Sequence, residues 1–160
     1  MQLAPGELAR RTPDRVIYSH GPRTVSITLG PTITRDGHQL SLQCALTTHL
    51  VERDADLVLF NEQLLQDRSV VTLDSVRQHL AGPLATSLAE FAQQHDAATC
   101  LAQRATVSQL ILKRANDIGF ACGLEFLPPL EVQLRCPTLE AQQAAEQVAR
   151  QQSSEAQHAV

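Results

Sequence analysis

"GLEFLPPLEVQLRCPTLEAQQAAEQVARQQ" (residues 123–152) passes through three kinds of sequence in one stretch. Gly123 has the character of a helix stop. Leu130, Val132 and Leu134 then alternate as one face of a strand. The Pro128-Pro129 pair cannot sit in a central ladder, so it marks a bulge, an edge or the entry to that strand. Pro137 ends the strand, and Thr138 is placed to cap a helix that starts at Leu139. That helix is rich in Ala, Gln and Glu, and Leu139, Ala141, Ala144 and Val148 give it a loose, heptad-like apolar seam. Such a seam is too thin to dock firmly by itself, so the helix either frays or pairs with a partner helix.

Working backwards from this stretch, the first third of the chain reads as β. Residues 16–20 (VIYSH) form a short strand, and Val25, Ile27 and Leu29 share one face of the next. Gly30-Pro31 is expected to turn the chain, and Asp36-Gly37 to make a two-residue hairpin turn. From Gln39 to Val51 runs the longest strand signal. Leu40, Leu42, Cys44, Leu46 and Leu50 lie on its dry face, with Gln43, Thr47 and His49 on its wet face. A strand with one dry face belongs to an antiparallel sheet covered on one side.

The period then changes to that of helices. Asp54 is expected to cap a helix carrying Leu57, Phe60 and Leu64, widened by Val58 and Leu65. Thr72 or Asp74 opens a second, with Leu73, Val76 and Leu80 on its stripe. Gly82-Pro83 predicts a kink there, or two helices meeting, before the stripe resumes at Leu84, Leu88 and Phe91. A third helix spans about 105–118 with Val107, Leu110, Ile111 and Ile118, and Gly119 and Gly123 are its candidate stops. The fold class is therefore α+β, an antiparallel sheet packed by helices. Residues 1–137 form the domain, and 138–160 form a partly disordered helical extension that begins a coiled coil.

Composition narrows the function. A chain of 160 residues with 43% apolar and 19% charged residues can bury a core of its own. Its net charge of −4 and its lack of tryptophan argue against nucleic acid as a partner, since phosphate needs a basic face and bases need stacking platforms. No apolar run is long enough to span a bilayer, so the chain is expected to be soluble as given. The twelve arginines among 13 basic residues are read as compositional bias.

Cys44, Cys100, Cys122 and Cys136 form no CxxC pair, and His20, His38, His49, His79, His95 and His158 have no metal-binding spacing. The expectation is therefore no metal and no cofactor. His49 reads as a solvated or hydrogen-bonded side chain. Arg53, Asp54 and Asp56 could imitate a cation site, but carboxylates near a helix start are favourable without a metal. His95-Asp96 near Cys100 imitates part of a Cys/His nucleophilic site, although its surroundings read as a connecting loop. No glycine-rich loop is present to cradle a phosphate.

The order of elements, together with "LAPGE" (3–7), "TITRDGHQLSLQCALTTHLVE" (32–52) and "GLEFLPPLEVQLRCP" (123–137), resembles the SPFH, or band 7, domain of stomatins, prohibitins and flotillins. The resemblance covers nearly the whole chain. It implies a non-catalytic scaffold that forms homo-oligomers and organises or regulates other proteins, membrane-associated in its full-length context and on the cytoplasmic side. The family usually carries a membrane-inserting segment before the domain and a much longer helix after it. Contact with the membrane is thus expected through segments absent from this chain. Two other readings stay open: a small hydrolase using Cys100 or Cys122 with a histidine, and a monomeric adaptor that binds a peptide along a sheet edge.

Overall fold

In the computed structural model, which describes residues 3–158, four strands come first: β1 (Glu7–Arg11), β2 (Val16–Tyr18), β3 (Arg23–Ile33) and β4 (Gln39–Leu50). Helix α1 (Asp54–Phe60) follows and runs on as a π-helical segment, Asn61–Leu65. Next are β5 (Val70–Thr72), α2 (Leu73–Gln94), α3 (Ala97–Ala102), α4 (Arg104–Phe120), β6 (Leu124–Arg135) and α5 (Pro137–His158). The chain is α+β, with antiparallel strands packed by helices. The strands divide between two three-stranded sheets, ordered β2-β1-β5 and β3-β4-β6.

The second sheet is the frame of the molecule. Every second residue of β4, from Leu40 to Leu50, is buried, and Val25, Ile27 and Leu29 of β3 and Phe126 and Val132 of β6 share that dry face. Helix α2 lies against β3 and α4 against β6, and the two helices also touch each other. Val76, Leu80, Leu84 and Leu88 of α2 and Val107, Ile111 and Ala115 of α4 supply the cover. At about 25 cal/mol per Å² of apolar surface removed from water, this layer is the main stabilising term. The opposite face of the sheet keeps its polar residues, so the expected division into dry and wet faces holds.

Several turns and boundaries differ from the sequence expectation, each for a local reason. Gly30-Pro31 does not turn the chain. β3 runs straight through it with a cis peptide, and the pairing to β4 shifts register between Leu29 and Thr32. A bulge absorbs the proline because β3 is an edge strand. The hairpin uses three loop residues, not two. Thr34 and His38 pair, the Gly37 amide donates to the Thr34 carbonyl oxygen at 3.0 Å, and Gly37 takes the left-handed position at φ +87°. Asp54 is not a cap; Arg53 holds that position without a side-chain bond, and Asp54 and Asp56 lie in the first turn of α1. Val58 faces solvent.

Pro83 does not divide α2. The helix is continuous through it because Leu80, Leu84 and Leu88 are all buried, which outweighs the one missing amide. Thr72 is the cap, its hydroxyl accepting from the Ser75 amide at 3.2 Å. The stretch QQHDAATC (93–100), expected as a connecting loop, instead divides between the end of α2 and α3, which is capped by the Asp96 carboxylate on the Thr99 amide at 2.7 Å. Gly119 lies inside α4 and is no stop. Pro128-Pro129 falls in the outer strand β6, where residues 128–130 lie opposite the single residue Leu46 of β4. It is both edge and bulge. Helix α5 starts at Pro137, two residues before the expected Leu139, so Thr138 lies inside it; the Glu140 amide bonds to the Cys136 carbonyl oxygen at 3.0 Å.

Gly123 is the stop that the sequence suggested, with φ +74°. A Cβ there would also collide with the Asp56 carbonyl, because α1 crosses directly over the turn. Gly82, inside α2, has open space around it. Two Gly→Ala changes should therefore differ widely in urea unfolding. Gly82→Ala is expected to change stability by no more than about 0.5 kcal/mol, because the gain in helix propensity is opposed by crowding of the new Cβ against Pro83. Gly123→Ala is expected to destabilise by more than about 3 kcal/mol, combining left-handed strain with the clash.

Candidate assembly surface

Helix α5 leaves the domain where β6 ends, and its attachment is confined to its first turn. Leu139 packs on the edge of the core. The Arg135 guanidinium donates to both carboxylate oxygens of Glu140, through Nε at 3.1 Å and 3.3 Å and Nη2 at 3.1 Å. The His38 ring Nδ1 and the Thr138 hydroxyl are 2.7 Å apart. From Ala141 to Gln157 every residue is exposed, Val148 to 52%.

The four residues of the expected seam thus divide. Leu139 is used by the domain itself, while Ala141, Ala144 and Val148 remain free. At 3.6 residues per turn these three fall within an arc of about 60°. Ala145 lies on the same face and was missed, because a strict heptad passes over it; counting small residues around the helix would have found it. Further on, Gln152 and Glu155 continue the face, so the apolar strip ends after Val148.

The catalytic candidates are not brought together. Cys100 is buried, and its thiol is pushed above the ordinary range, mainly by burial and then by the nearby Asp96 and Asp36 charges. His95 is engaged elsewhere: Nδ1 of the ring lies 2.8 Å from the Phe91 carbonyl oxygen, and the ring stacks on Phe91 at 4.2 Å. Cys122 is also buried, its thiol pushed up to about 11 by burial and its Sγ directed to the Ile118 carbonyl oxygen at 3.5 Å. Cys44 is pushed to about 11 for the same reason. A thiol held neutral is a poor nucleophile, so the hydrolase reading loses its reactive group.

The remaining polar candidates have local partners. His49 Nε2 meets Glu125 Oε2 at 2.8 Å across the β4–β6 pair, and His20 Nδ1 meets Glu52 Oε1 at 2.7 Å. Asp36 Oδ1 accepts from the Thr34 hydroxyl at 2.6 Å and from the Ala97 amide at 3.0 Å, which holds its carboxyl below the usual range. A shallow depression of about 350 Å³ on the open sheet face is lined by Ser26, Thr28, Gln43, Ala45, Glu131 and Gln133. Ile27, Cys44 and Arg104 also line it, and the Cys44 thiol is buried and pushed up to about 11, so it is held neutral. Among the described residues, no three His, Cys, Asp or Glu side chains converge as a metal would need. Within the same residues, no helix is long and apolar enough to cross a membrane.

Fold and surface together define an α+β domain continued by a helix that the domain leaves uncovered. The model of the SPFH domain / Band 7 family matches residues 7–160, and the chain belongs to that family. It is a family of scaffold-type, generally non-enzymatic domains, commonly associated with membranes. No curated protein matches the chain in sequence.

Two measurements follow from the buried thiols. Iodoacetamide should leave all four cysteines unmodified in the native protein and modify them once urea unfolds it. A single fast-reacting cysteine would contradict the packing. A thiol whose folded pKa is raised contributes stability that is whole below the unfolded value and is lost as pH rises towards the folded one. The unfolding free energy should therefore decline between about pH 9 and 11, and Cys44→Ala with Cys122→Ala should flatten that decline.

Proposed function

We propose that this chain is a non-catalytic scaffold domain that assembles with copies of itself through α5 and organises or regulates partner proteins at a membrane. One observation carries the reading: α5 is 22 residues long, and the domain covers only its first turn. Beyond its first turn the helix lacks the tertiary packing that supplies most helical stability in proteins. Laid against a second copy, Ala141, Ala144, Ala145 and Val148 would close over one another.

The magnitude says what kind of assembly this is. The four side chains hold six apolar carbons, so full burial contributes about 5 kcal/mol per chain at ~0.8 kcal/mol per carbon. Association costs about 4–15 kcal/mol in lost freedom. A single pair of these helices is therefore weak. Stable assembly would need many copies side by side or confinement on a surface, which suits the family's usual association with membranes. The membrane contact itself is assigned to segments outside this chain. With a net charge of −4 the protein is not a nucleic-acid binder in this reading.

The adaptor reading has less support. The outer edge of β6 has no strand partner among the described residues, but Pro128-Pro129 and their bulge interrupt it, and a bulged, proline-bearing edge resists strand addition.

Light scattering on three proteins tests the proposal. The full chain should show a mass above its 17.5 kDa and rising with concentration. A chain ending at Gln142, which keeps the contacts of Thr138, Leu139 and Glu140, should stay monomeric. Ala144→Glu with Val148→Glu should do the same, with an unchanged melting temperature. Equal masses for all three would overturn the role of α5.

A further inference from the structure

The tip of the β3–β4 hairpin, residues 34–38, is bonded to three helices at once. The Arg35 amide donates to the carbonyl oxygens of Ala92 and His95, both at 2.9 Å, at the end of α2. Arg35 Nη1 adds a bond to the Gln94 carbonyl oxygen at 3.3 Å. Asp36 accepts the Ala97 amide at the start of α3, and His38 meets Thr138 in the first turn of α5. Thr34 ties the loop to itself, its hydroxyl donating to Asp36 and accepting from the His38 amide at 3.0 Å. A hairpin tip in open solvent needs none of these bonds.

From this placement we infer that the hairpin tip is a latch that sets the direction in which α5 leaves the domain. Three pegs hold the first turn of the helix: His38 on one side, Arg135 through Glu140 on another, and Leu139 in the core. The first peg reaches across 100 residues of sequence and transmits the position of the α2–α3 corner to α5. The Arg135–Glu140 pair is exposed and contributes little alone, since such pairs are worth about 0–1 kcal/mol. Apolar contact at Leu139 fixes a point but not an angle. Orientation therefore needs the polar pegs together, and His38, Thr138, Arg135 and Glu140 are positioning residues for the helix. The latch acts within one chain on the first turn of α5, while the rigid reach of the helix to Gln151 rests on the proposed assembly, so the distance is read at a total protein concentration where light scattering shows assembly.

The reach of the helix makes the effect measurable. Gln151 is twelve residues beyond Leu139, so at ~1.5 Å per residue it lies about 18 Å from the pivot, and a swing of about 20° moves it about 6 Å. Spin labels would be carried at Thr28 and Gln151 through a ketone-bearing residue, leaving the native thiols untouched. The labelled full chain would be diluted into unlabelled full chain, so that only distances within one chain are read by double electron–electron resonance. One narrow distance is expected for the parent. His38→Ala or Arg135→Ala alone should leave most of it in place, and the two together should broaden it by several ångströms. A second pair of labels, at Thr28 and Arg77 within the domain, should stay narrow in every variant, which separates release of the helix from loss of the fold. An unchanged Thr28–Gln151 distance in the double variant would overturn the latch.

Discussion

Along β4, alternate side chains from Leu40 to Leu50 are withdrawn from water, and the strand is hydrogen-bonded on both edges. This one strand commits the rest of the chain. With both edges paired and one face dry, the only open question is what covers that face, and α2 and α4 answer it. Even the one polar residue on that face, Thr48, is satisfied, its hydroxyl donating to the Glu125 carbonyl oxygen at 3.0 Å. The close approach of α4 to the sheet has its own requirement. At Gly119 a Cβ would stand 2.7 Å from the Leu124 carbonyl oxygen, so a larger residue would lift the helix off β6.

Covering the dry face leaves the open face and α5 for other uses. The open face is polar, and its His49 is paired with Glu125. Helix α5 is different, because nothing in the domain satisfies its apolar strip. The contrast between a domain with a closed core and a helix with an open seam is what points to assembly. Buried cysteines agree with it: Cys100, Cys122 and Cys136 fill the core as small hydrophobes, away from solvent.

What could be read from the sequence was what a strong period encodes. β4 was legible because four leucines and a cysteine alternate along it, broken only at Thr48, and the α2 stripe because Val76, Leu80, Leu84 and Leu88 repeat at helical spacing. β1 was not legible: Leu8 and Ala9 are adjacent and both buried, since a shift of register against β5 turns both inwards. β5 is only three residues long and exists because β1 pairs with it. The prolines misled where tertiary packing overrode local preference, at Pro31 on an edge strand and at Pro83 under a buried stripe. Of the candidate surface, the seam itself was legible, but the commitment of Leu139 to the core was not. Leu139 meets the core, and His38 meets Thr138 across 100 residues of sequence, only once β4 and β6 have paired.

The central claim is that the domain is complete by itself while α5 is completed by a partner. Amide hydrogen exchange on the full chain, followed over a range of protein concentrations, tests it most directly. The account predicts that β4, α2 and α4 are protected to the same degree at every concentration. The amides of α5 beyond Ala141 should exchange rapidly in dilute solution and become protected as concentration rises. Protection of those amides in a dilute monomer, equal to that at high concentration, would contradict it.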